Sequence, residues 1–270
     1  MSITHINKRG IMSNLYDRDL YLNHEYEYLI NRKIVEYDMK SAGYNLSVYY
    51  KLLPKQTLDN LAKLEKHERH IEIGKLQRFD KEYAKKLSKA FKSMRKEFFI
   101  ANRIVDSDIL SIKKDAIFIV GKKCNNLEFE NVTFVEKNVY SSFHYLNNLE
   151  FYYSSSKNIL DVKGINDDSL CQFTFFINIL KKLFKLLEAN KREEFIKLIK
   201  KFTEDYKNKN LIYEYYKEFR PDGSFALIQK NEKSLCISLD GMDETVHDLM
   251  DISYNYIHYI LPIIQRHYFK

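Results

Sequence analysis

Hydrophobic and polar residues follow two different periods along the first half of the chain. The run Ile34-Val35-Glu36-Tyr37 predicts a strand, which ends at Ser41-Ala42-Gly43. Apolar residues with helical spacing follow over 45–53, and Pro54 then stops the helix. Two short helices are predicted between 56 and 77, and a longer one over about 80–101, because apolar residues recur every three or four positions. The order is therefore strand first, then helices.

A second strand-rich region starts with a hairpin over 109–120. Two runs of β-branched and aromatic residues flank the charged turn Lys113-Lys114-Asp115, as a hairpin packed on one face requires. Short strands separated by Asn-rich turns are predicted at 127–129, 132–135, 139–144, 149–153 and 159–162. This region completes a predicted antiparallel sheet.

The pattern changes again from about residue 170 to long helices with apolar residues at helical spacing. A hairpin at 224–239 and a final helix at 246–268, kinked by Pro262, are also predicted. The fold class is therefore α+β: an antiparallel sheet with helices on one face over 1–165, with a helical insertion at about 54–78, followed by a mainly helical region over 166–270.

The charge of the chain favours polyanionic partners. Lys and Arg outnumber Asp and Glu by 44 to 37, a formal net charge of +7. The polar face of the 80–101 helix carries Lys81, Lys85, Lys86, Lys89, Lys92, Arg95 and Lys96. Among these, Lys85 and Lys89 are candidate contacts to nucleic acid. A solvated helix face is the alternative for these lysines, and an AT-rich genome is an alternative cause of the composition.

Cysteine usage and hydropathy predict a cytoplasmic protein without a membrane partner. Cys124, Cys171 and Cys236 lie far apart without CxxC or Cys/His spacing, so they predict neither a disulfide framework nor a zinc site. The chain has no secretory signal pattern and no run of about 18 apolar residues.

Two aspartates are candidate catalytic residues and metal ligands. Asp38 closes the first predicted strand, and Asp115 lies at the turn of the later hairpin, so the two can meet at one edge of a sheet. Nucleotidyl transfer uses Mg²⁺ (or Mn²⁺) held by one or two such carboxylates. Aspartate is also a common turn residue, which is the alternative for both.

Four segments resemble family B DNA polymerases of the small phage and protein-primed type, in the order of that family. Asp38-Met39-Lys40-Ser41-Ala42-Gly43-Tyr44 is similar to its first motif, and 113–119 is similar to its Asp-Thr-Asp-Ser hairpin, keeping the second aspartate. Residues 149–165 resemble the strand pair that ends the palm, and 254–266 resemble the closing thumb helix.

This resemblance implies a reduced palm-and-thumb polymerase that binds primer-template nucleic acid and deoxynucleotides. It implies that Asp38 and Asp115 hold both metal ions. The implied nucleotide contacts are Met39 (through its carbonyl), Ser41, Tyr44, Arg69 and Lys75, and the implied duplex contacts are Lys163 and Gly164. Tyr44 also fits a core aromatic residue.

The chain departs from the family at two places. The fingers signature with Asn-Ser and Tyr-Gly is absent, and Arg69 and Lys75 stand nearest its place. Lys113 and Lys114 replace the first Asp-Thr of the hairpin, and their charges either offset a missing counter-charge or repel a metal.

Three functions follow from these features. The first is phage-encoded primer extension by a two-metal mechanism. The second is a palm-derived protein that binds nucleic acid without catalysis. The third is an interaction protein whose helices bind another replication protein. A nuclease using Asp106, Asp108 and Asp115 is set aside, because Asp106-Ser107-Asp108 fits a cap of the turn into the hairpin.

Overall fold

The computed structural model describes residues 13–146, 148–164, 170–208 and 210–212, with three short strands beyond them. Its antiparallel sheets and the six α-helices in this part of the chain confirm the predicted α+β class. The chain forms two compact units, one of residues 1–25 and 32–139 and the other of 26–31 and 140–270. The predicted change of architecture near residue 166 lies within the second unit.

The strands are numbered along the chain. They are β1 (Leu20–Leu22), β2 (Tyr28–Leu29), β3 (Ile34–Met39), β4 (Ile109–Lys113), β5 (Ala116–Val120), β6 (Glu128–Phe129), β7 (Val132–Tyr140), β8 (Ser142–Leu146), β9 (Leu149–Ser154), β10 (Ile159–Lys163), β11 (Lys217–Phe219), β12 (Phe225–Leu227) and β13 (Leu235–Ile237). The helices are α1 (Ala42–Tyr49), α2 (Lys55–Ala62), α3 (Lys66–Phe79), α4 (Lys81–Ala101), α5 (Leu170–Glu188) and α6 (Arg192–Lys207).

The first unit contains a six-stranded sheet in the order β1-β4-β5-β3-β7-β6. The predicted hairpin over 109–120 forms as β4 and β5, and β5 pairs antiparallel with β3. The strands predicted at 132–135 and 139–144 differ from those observed. β7 runs without a break over Val132–Tyr140, because pairing beside β3 keeps its polar middle section extended.

One face of this sheet carries the core of the first unit. Val35, Tyr37 and Met39 alternate on that face of β3 and pack with α1 and with the apolar stripe of α4. Near the C-terminal end of the stripe, the ring of Phe98 stacks on Phe134, with the centroids 4.1 Å apart. The helices of this core therefore cover one face of the sheet, as predicted, and the alternate side chains of β3 lie on the other face.

α1 begins earlier than predicted. Ser41 adopts a left-handed conformation with φ +48°, so the chain turns out of β3 within two residues and α1 starts at Ala42. α4 begins where its sequence indicates, because the Asp80 carboxylate accepts a hydrogen bond from the backbone N–H of Tyr83 at 2.9 Å.

The second unit has a four-stranded antiparallel sheet in the order β10-β9-β8-β2. The Phe184 ring of α5 contacts the rings of His144 (β8) and Tyr153 (β9), with centroids 4.8 and 5.6 Å apart. β12 pairs antiparallel with β13, which confirms the predicted hairpin at 224–239. The helix predicted at 246–268 lies outside the described residues. None of the helices in the described ranges has the length and apolar content needed to cross a membrane.

Candidate functional site

Asp38 and Asp115 come together at one end of neighbouring strands. In the antiparallel register of β3 and β5, Asp38 lies opposite Ala116, the residue that follows Asp115. The backbone N–H of Met39 donates to the carbonyl oxygen of Asp115 at 3.1 Å. This hydrogen bond links the end of β3 to the β4–β5 turn, so the two aspartates belong to one local structure.

Glu36 adds a third carboxylate on the same sheet face as Asp38. Two residues separate repeats of the same face in a strand, so Glu36 and Asp38 point away from the helix-covered face that holds Tyr37. Glu36 is buried, whereas the side chain of Asp38 is 25% exposed. Asn138 of β7 donates from Nδ2 to Glu36 Oε2 at 2.9 Å and so orients that carboxylate.

Lys137 of β7 places an ammonium group among these carboxylates. Its Nζ lies 3.6 Å from Glu36 Oε1 and 3.8 Å from Asp38 Oδ2. Burial by itself lowers the pKa of Lys137, but Glu36 and Asp38, with a smaller contribution from Asp115, together raise it above its usual value. Lys137 is therefore protonated at neutral pH, and its charge balances part of the acidic cluster formed by Glu36, Asp38 and Asp115.

The donors of this acidic cluster are hard carboxylate oxygens, the ligand type that Mg²⁺ and Mn²⁺ prefer. Within the described ranges, no group of three or more His, Cys, Asp or Glu side chains is arranged to hold a metal ion. Asp38 and Asp115 fit a metal by donor chemistry and by their shared position. The Lys137 ammonium, the cation that the structure places beside Asp38, is the charge with which such a metal competes.

Arg95 anchors the turn that carries Asp115. The sequence pattern placed Arg95 with the solvated lysines of its helix, and the structure corrects this, because its side chain is fully buried. The guanidinium donates to the carbonyl oxygens of Lys114 and Tyr16 at 2.5 and 2.9 Å, and to the Asp19 carboxylate at 2.8 Å. Arg95 lies at the border between the apolar and polar faces of α4. The segment that contains Tyr16 and Asp19 covers it.

The residues implied as nucleotide contacts after β3 have defined positions. The Met39 side chain is buried in the core, and Ser41 forms the left-handed turn into α1. Tyr44 is half-buried at the edge of the same core, and the Arg69 guanidinium carbon lies 4.6 Å from the centroid of its ring. The structure therefore joins Tyr44 to Arg69 through a cation–π contact.

Arg69 and Lys75 both have partners on their own helical hairpin. The Arg69 guanidinium donates to the carbonyl oxygens of Leu61, Ala62 and Leu64 and so closes the C-terminal end of α2. Lys75 is exposed and pairs with Glu72 at 2.6 Å. These contacts give Arg69 a structural role, and its role toward a triphosphate stays a prediction.

The implied nucleic-acid contacts lie on both units. Lys85 and Lys89 are exposed on α4 in the first unit. Lys163 ends β10 in the second unit, opposite Glu150 in the register with β9. Gly164 follows with φ +92°, a conformation that favours glycine. Glycine is therefore favoured at position 164 because of its left-handed backbone conformation.

A comparison with protein-family models decides what kind of protein this is. The model described as bacteriophage PBS1 gene 130 protein matches residues 11–268, nearly the whole chain. The chain belongs to this family. The name of the family identifies a phage protein and gives no activity, so the match supports a phage origin. The similarity to family B DNA polymerases stays a prediction. No curated protein matches this gene 130 family chain.

Replacing Gly164 by alanine in this gene 130 family chain is expected to lower the free energy of unfolding by about 2–4 kcal/mol. A Cβ atom there lies 2.7 Å from the backbone oxygen of Asn148, and the positive φ adds strain. Gly121→Ala is the matched control, since Gly121 has φ +68° and nothing within 4 Å of its Cβ position; it is expected to cost about 1 kcal/mol. Urea unfolding of both variants checks this, and equal losses contradict it.

Sequence reasoning missed three residues of the site. Glu36 carries a usable signal, because it precedes Asp38 by two positions in a predicted strand and so shares its face. Lys137 carries none, since only the pairing of β7 with β3 brings it to the cluster. Arg95 differs from the neighbouring lysines in its planar five-donor guanidinium, the group best suited to several buried acceptors.

Proposed function

We propose that this phage protein carries out template-directed nucleotidyl transfer, extending a primer at the site of Asp38 and Asp115. The observation that carries the proposal is the register of β3 against β5, which puts these two aspartates at adjoining strand ends. Phosphoryl transfer to a sugar hydroxyl needs carboxylates held in this way for divalent metal ions.

The order of elements in the first unit supports the proposal. One strand (β3) is followed by helices, and then by a hairpin (β4 and β5) that returns to pair beside that strand. This strand, helix and hairpin order is the one expected for the core of a polymerase palm. Glu36 and Asp38 lie on the sheet face opposite the helices of this core, and the Asp38 side chain is 25% exposed there.

Asp38 and Asp115 are the residues that would hold Mg²⁺ (or Mn²⁺). When bound, the metal neutralises the triphosphate charge and makes the primer 3′-oxygen nucleophilic. Two hydrogen bonds of the protein position this site. The Met39 N–H donates to the carbonyl oxygen of Asp115, and the Arg95 guanidinium donates to that of Lys114. The positive charge of Lys137 lies between Glu36 and Asp38 and reduces the repulsion between the two carboxylates.

The remaining implied contacts are assigned to the same proposed function, some on the first unit and some on the second. Deoxynucleotides contact Ser41 and Tyr44 beside the aspartates, and Arg69 and Lys75 contribute charge toward the triphosphate. Primer-template nucleic acid contacts Lys163 and Gly164, where a lysine adds affinity without reading sequence. The protein acts in the host cytoplasm, the place where phage nucleic acid is copied.

Primer extension tests the proposal directly. The full-length protein is incubated with a short primer-template, four deoxynucleotides and Mg²⁺ or Mn²⁺, and a matched reaction contains EDTA. Metal-dependent elongation of the primer is expected. Absence of elongation under conditions where the protein still binds the primer-template rejects the catalytic proposal.

A second candidate is a palm-derived protein that binds nucleic acid, or assists a polymerase, without catalysis. The contacts of Lys137 favour it, because its ammonium already balances Glu36 and Asp38 within the protein. Another phage replication protein then supplies catalysis. Retained nucleic-acid binding without extension, together with no effect of Mg²⁺ on the melting temperature, selects this candidate.

A further inference from the structure

We infer that α4 and the corner before it form a binding surface for single-stranded nucleic acid. The surface consists of Phe79 and three lysines of α4. These lysines, Lys81, Lys85 and Lys89, are called the lysine row below. The inference goes beyond the proposed catalysis, because binding at the lysine row needs no metal ion, nucleotide or reaction.

Five of the six lysines of α4 form a single line along the helix. On an ideal helix with 3.6 residues per turn, Lys81, Lys85, Lys89, Lys92 and Lys96 fall within an arc of about 80°. The residues of the opposite side, such as Leu87 and Met94, are buried in the core of the first unit. Neighbouring lysines of the row are one turn apart, about 6 Å along the axis. The core thus holds the helix so that one straight line of positive charge faces outward.

The first three lysines of the line are exposed, and the ion pairs found in the described part of the chain do not include them. Lys92 instead pairs with Asp17 at 3.2 Å, and the Lys96 ammonium lies 5.3 Å from the centre of the Tyr16 ring. Lys92 and Lys96 therefore bind the segment that contains Tyr16 and Asp17 to α4. Lys81, Lys85 and Lys89 are left as the part of the line suited to phosphate groups.

Phe79 supplies an aromatic surface directly before the lysine row. It is 77% exposed, the highest value among the large hydrophobic side chains of the described ranges. The Arg78 guanidinium carbon lies 5.7 Å from the centroid of its ring. The corner has a defined structure, because the Asp80 carboxylate accepts a hydrogen bond from the backbone N–H of Tyr83 and so caps α4. An exposed ring beside a line of lysines is the combination that single-strand binding proteins use for bases and phosphates.

The exposed ring decides between a single strand and a duplex. A base can stack on Phe79 only when its face is free, and the internal bases of a duplex already stack on their neighbours. Lysines alone bind either form of nucleic acid through phosphate charge. We therefore assign the lysine row and Phe79 to an unpaired strand, such as a template region ahead of a primer.

Fluorescence anisotropy with the full-length protein tests this inference. A labelled oligothymidylate is titrated in EDTA without nucleotides, over a series of salt concentrations. Changing Lys81, Lys85 and Lys89 together to glutamine is expected to weaken binding at least about tenfold at low salt, and to reduce the salt slope by about 2. The control has the same charge change at Lys51, Lys55 and Lys63, which are exposed outside α4; it is expected to change affinity less than about twofold.

Phe79→Ala separates stacking from charge. Loss of one base–aromatic stack is expected to weaken binding by about 5- to 150-fold with the salt slope unchanged. Ile100→Ala, at another exposed apolar position of the first unit, is expected to leave binding unaltered. Melting temperatures of all variants confirm that they remain folded.

Three results overturn the inference: equal affinities of the two triple-glutamine proteins, unchanged binding by Phe79→Ala, or tighter binding of a duplex than of the single strand. Vesicles of anionic lipid that compete with the oligomer for the lysine row assign it to a membrane surface and also overturn the inference. Because EDTA prevents metal-dependent reaction, none of these outcomes depends on whether the protein extends primers.

Discussion

Primer extension by the Asp38→Asn and Asp115→Asn proteins is expected to fall at least about 100-fold below that of the unaltered protein. Loss of a group that only orients a metal ligand already costs about 10- to 100-fold, so loss of a ligand itself costs at least the upper end of that range. Asparagine keeps the size of the side chain and removes the charge. The rates are measured with Mg²⁺ across a concentration series.

The two aspartates should behave alike, because the register joins them in one local structure. Their unfolding free energies are expected to stay within about 1 kcal/mol of the unaltered value. A protein with Asp38→Asn that extends primers normally contradicts the proposed role, and so does a loss of activity that follows a loss of folding.

Lys137→Met is the complementary variant. It removes the ammonium beside Glu36 and Asp38 and leaves the carboxylates in place. Mg²⁺ is then expected to raise the melting temperature of Lys137→Met more than that of the unaltered protein, since the metal no longer competes with a fixed positive charge. Equal stabilisation of the two proteins argues against a metal at this cluster.

Arg95→Met is expected to lower the free energy of unfolding by about 2–5 kcal/mol. The change removes the donors to the carbonyl oxygens of Tyr16 and Lys114 from a buried position, and each carbonyl left without its donor costs about 1–3 kcal/mol. The contact with Asp19 adds less, because that carboxylate is 45% exposed and screened by water. Urea unfolding of the full-length protein measures the loss.

Lys89→Met serves as the control for Arg95→Met, because it removes a long cationic side chain from the exposed side of the same helix. Its effect is expected to be within about 0.5 kcal/mol. Amide hydrogen exchange gives a second readout: in Arg95→Met, exchange should accelerate at the β4–β5 turn around Lys114. Similar stabilities of the two variants contradict the anchoring role of Arg95.

Much of the local structure was predictable because it depends on neighbours in sequence. The β-branched and aromatic runs on both sides of Lys114 predicted β4 and β5, and the apolar stripe from Tyr83 to Phe98 predicted α4. The approach of Asp38 to Asp115 was also foreseen, since Asp38 lies near the end of β3 and Asp115 lies in the turn directly before β5, the strand that pairs with β3. Each inference needed only strand or helix periodicity and turn chemistry.

Other features depend on contacts between distant segments, and the spacing of apolar residues within one segment does not predict such contacts. β2 joins the sheet of the second unit by pairing with β8, although its residues precede β3 in the chain. The local pattern of α4 groups Arg95 with exposed lysines, but in the fold the segment around Tyr16 covers its side chain.

The sequence by itself determined β3, the β4–β5 hairpin, α4 with its lysine-rich face, and the two aspartates near strand ends, because each follows from residues close together in the chain. Only the tertiary structure decided that β7 lies beside β3 and brings Lys137 to Glu36 and Asp38. The physical reason is that strand order is set by burial summed over the whole sheet. The charge balance of the candidate site is a consequence of that order.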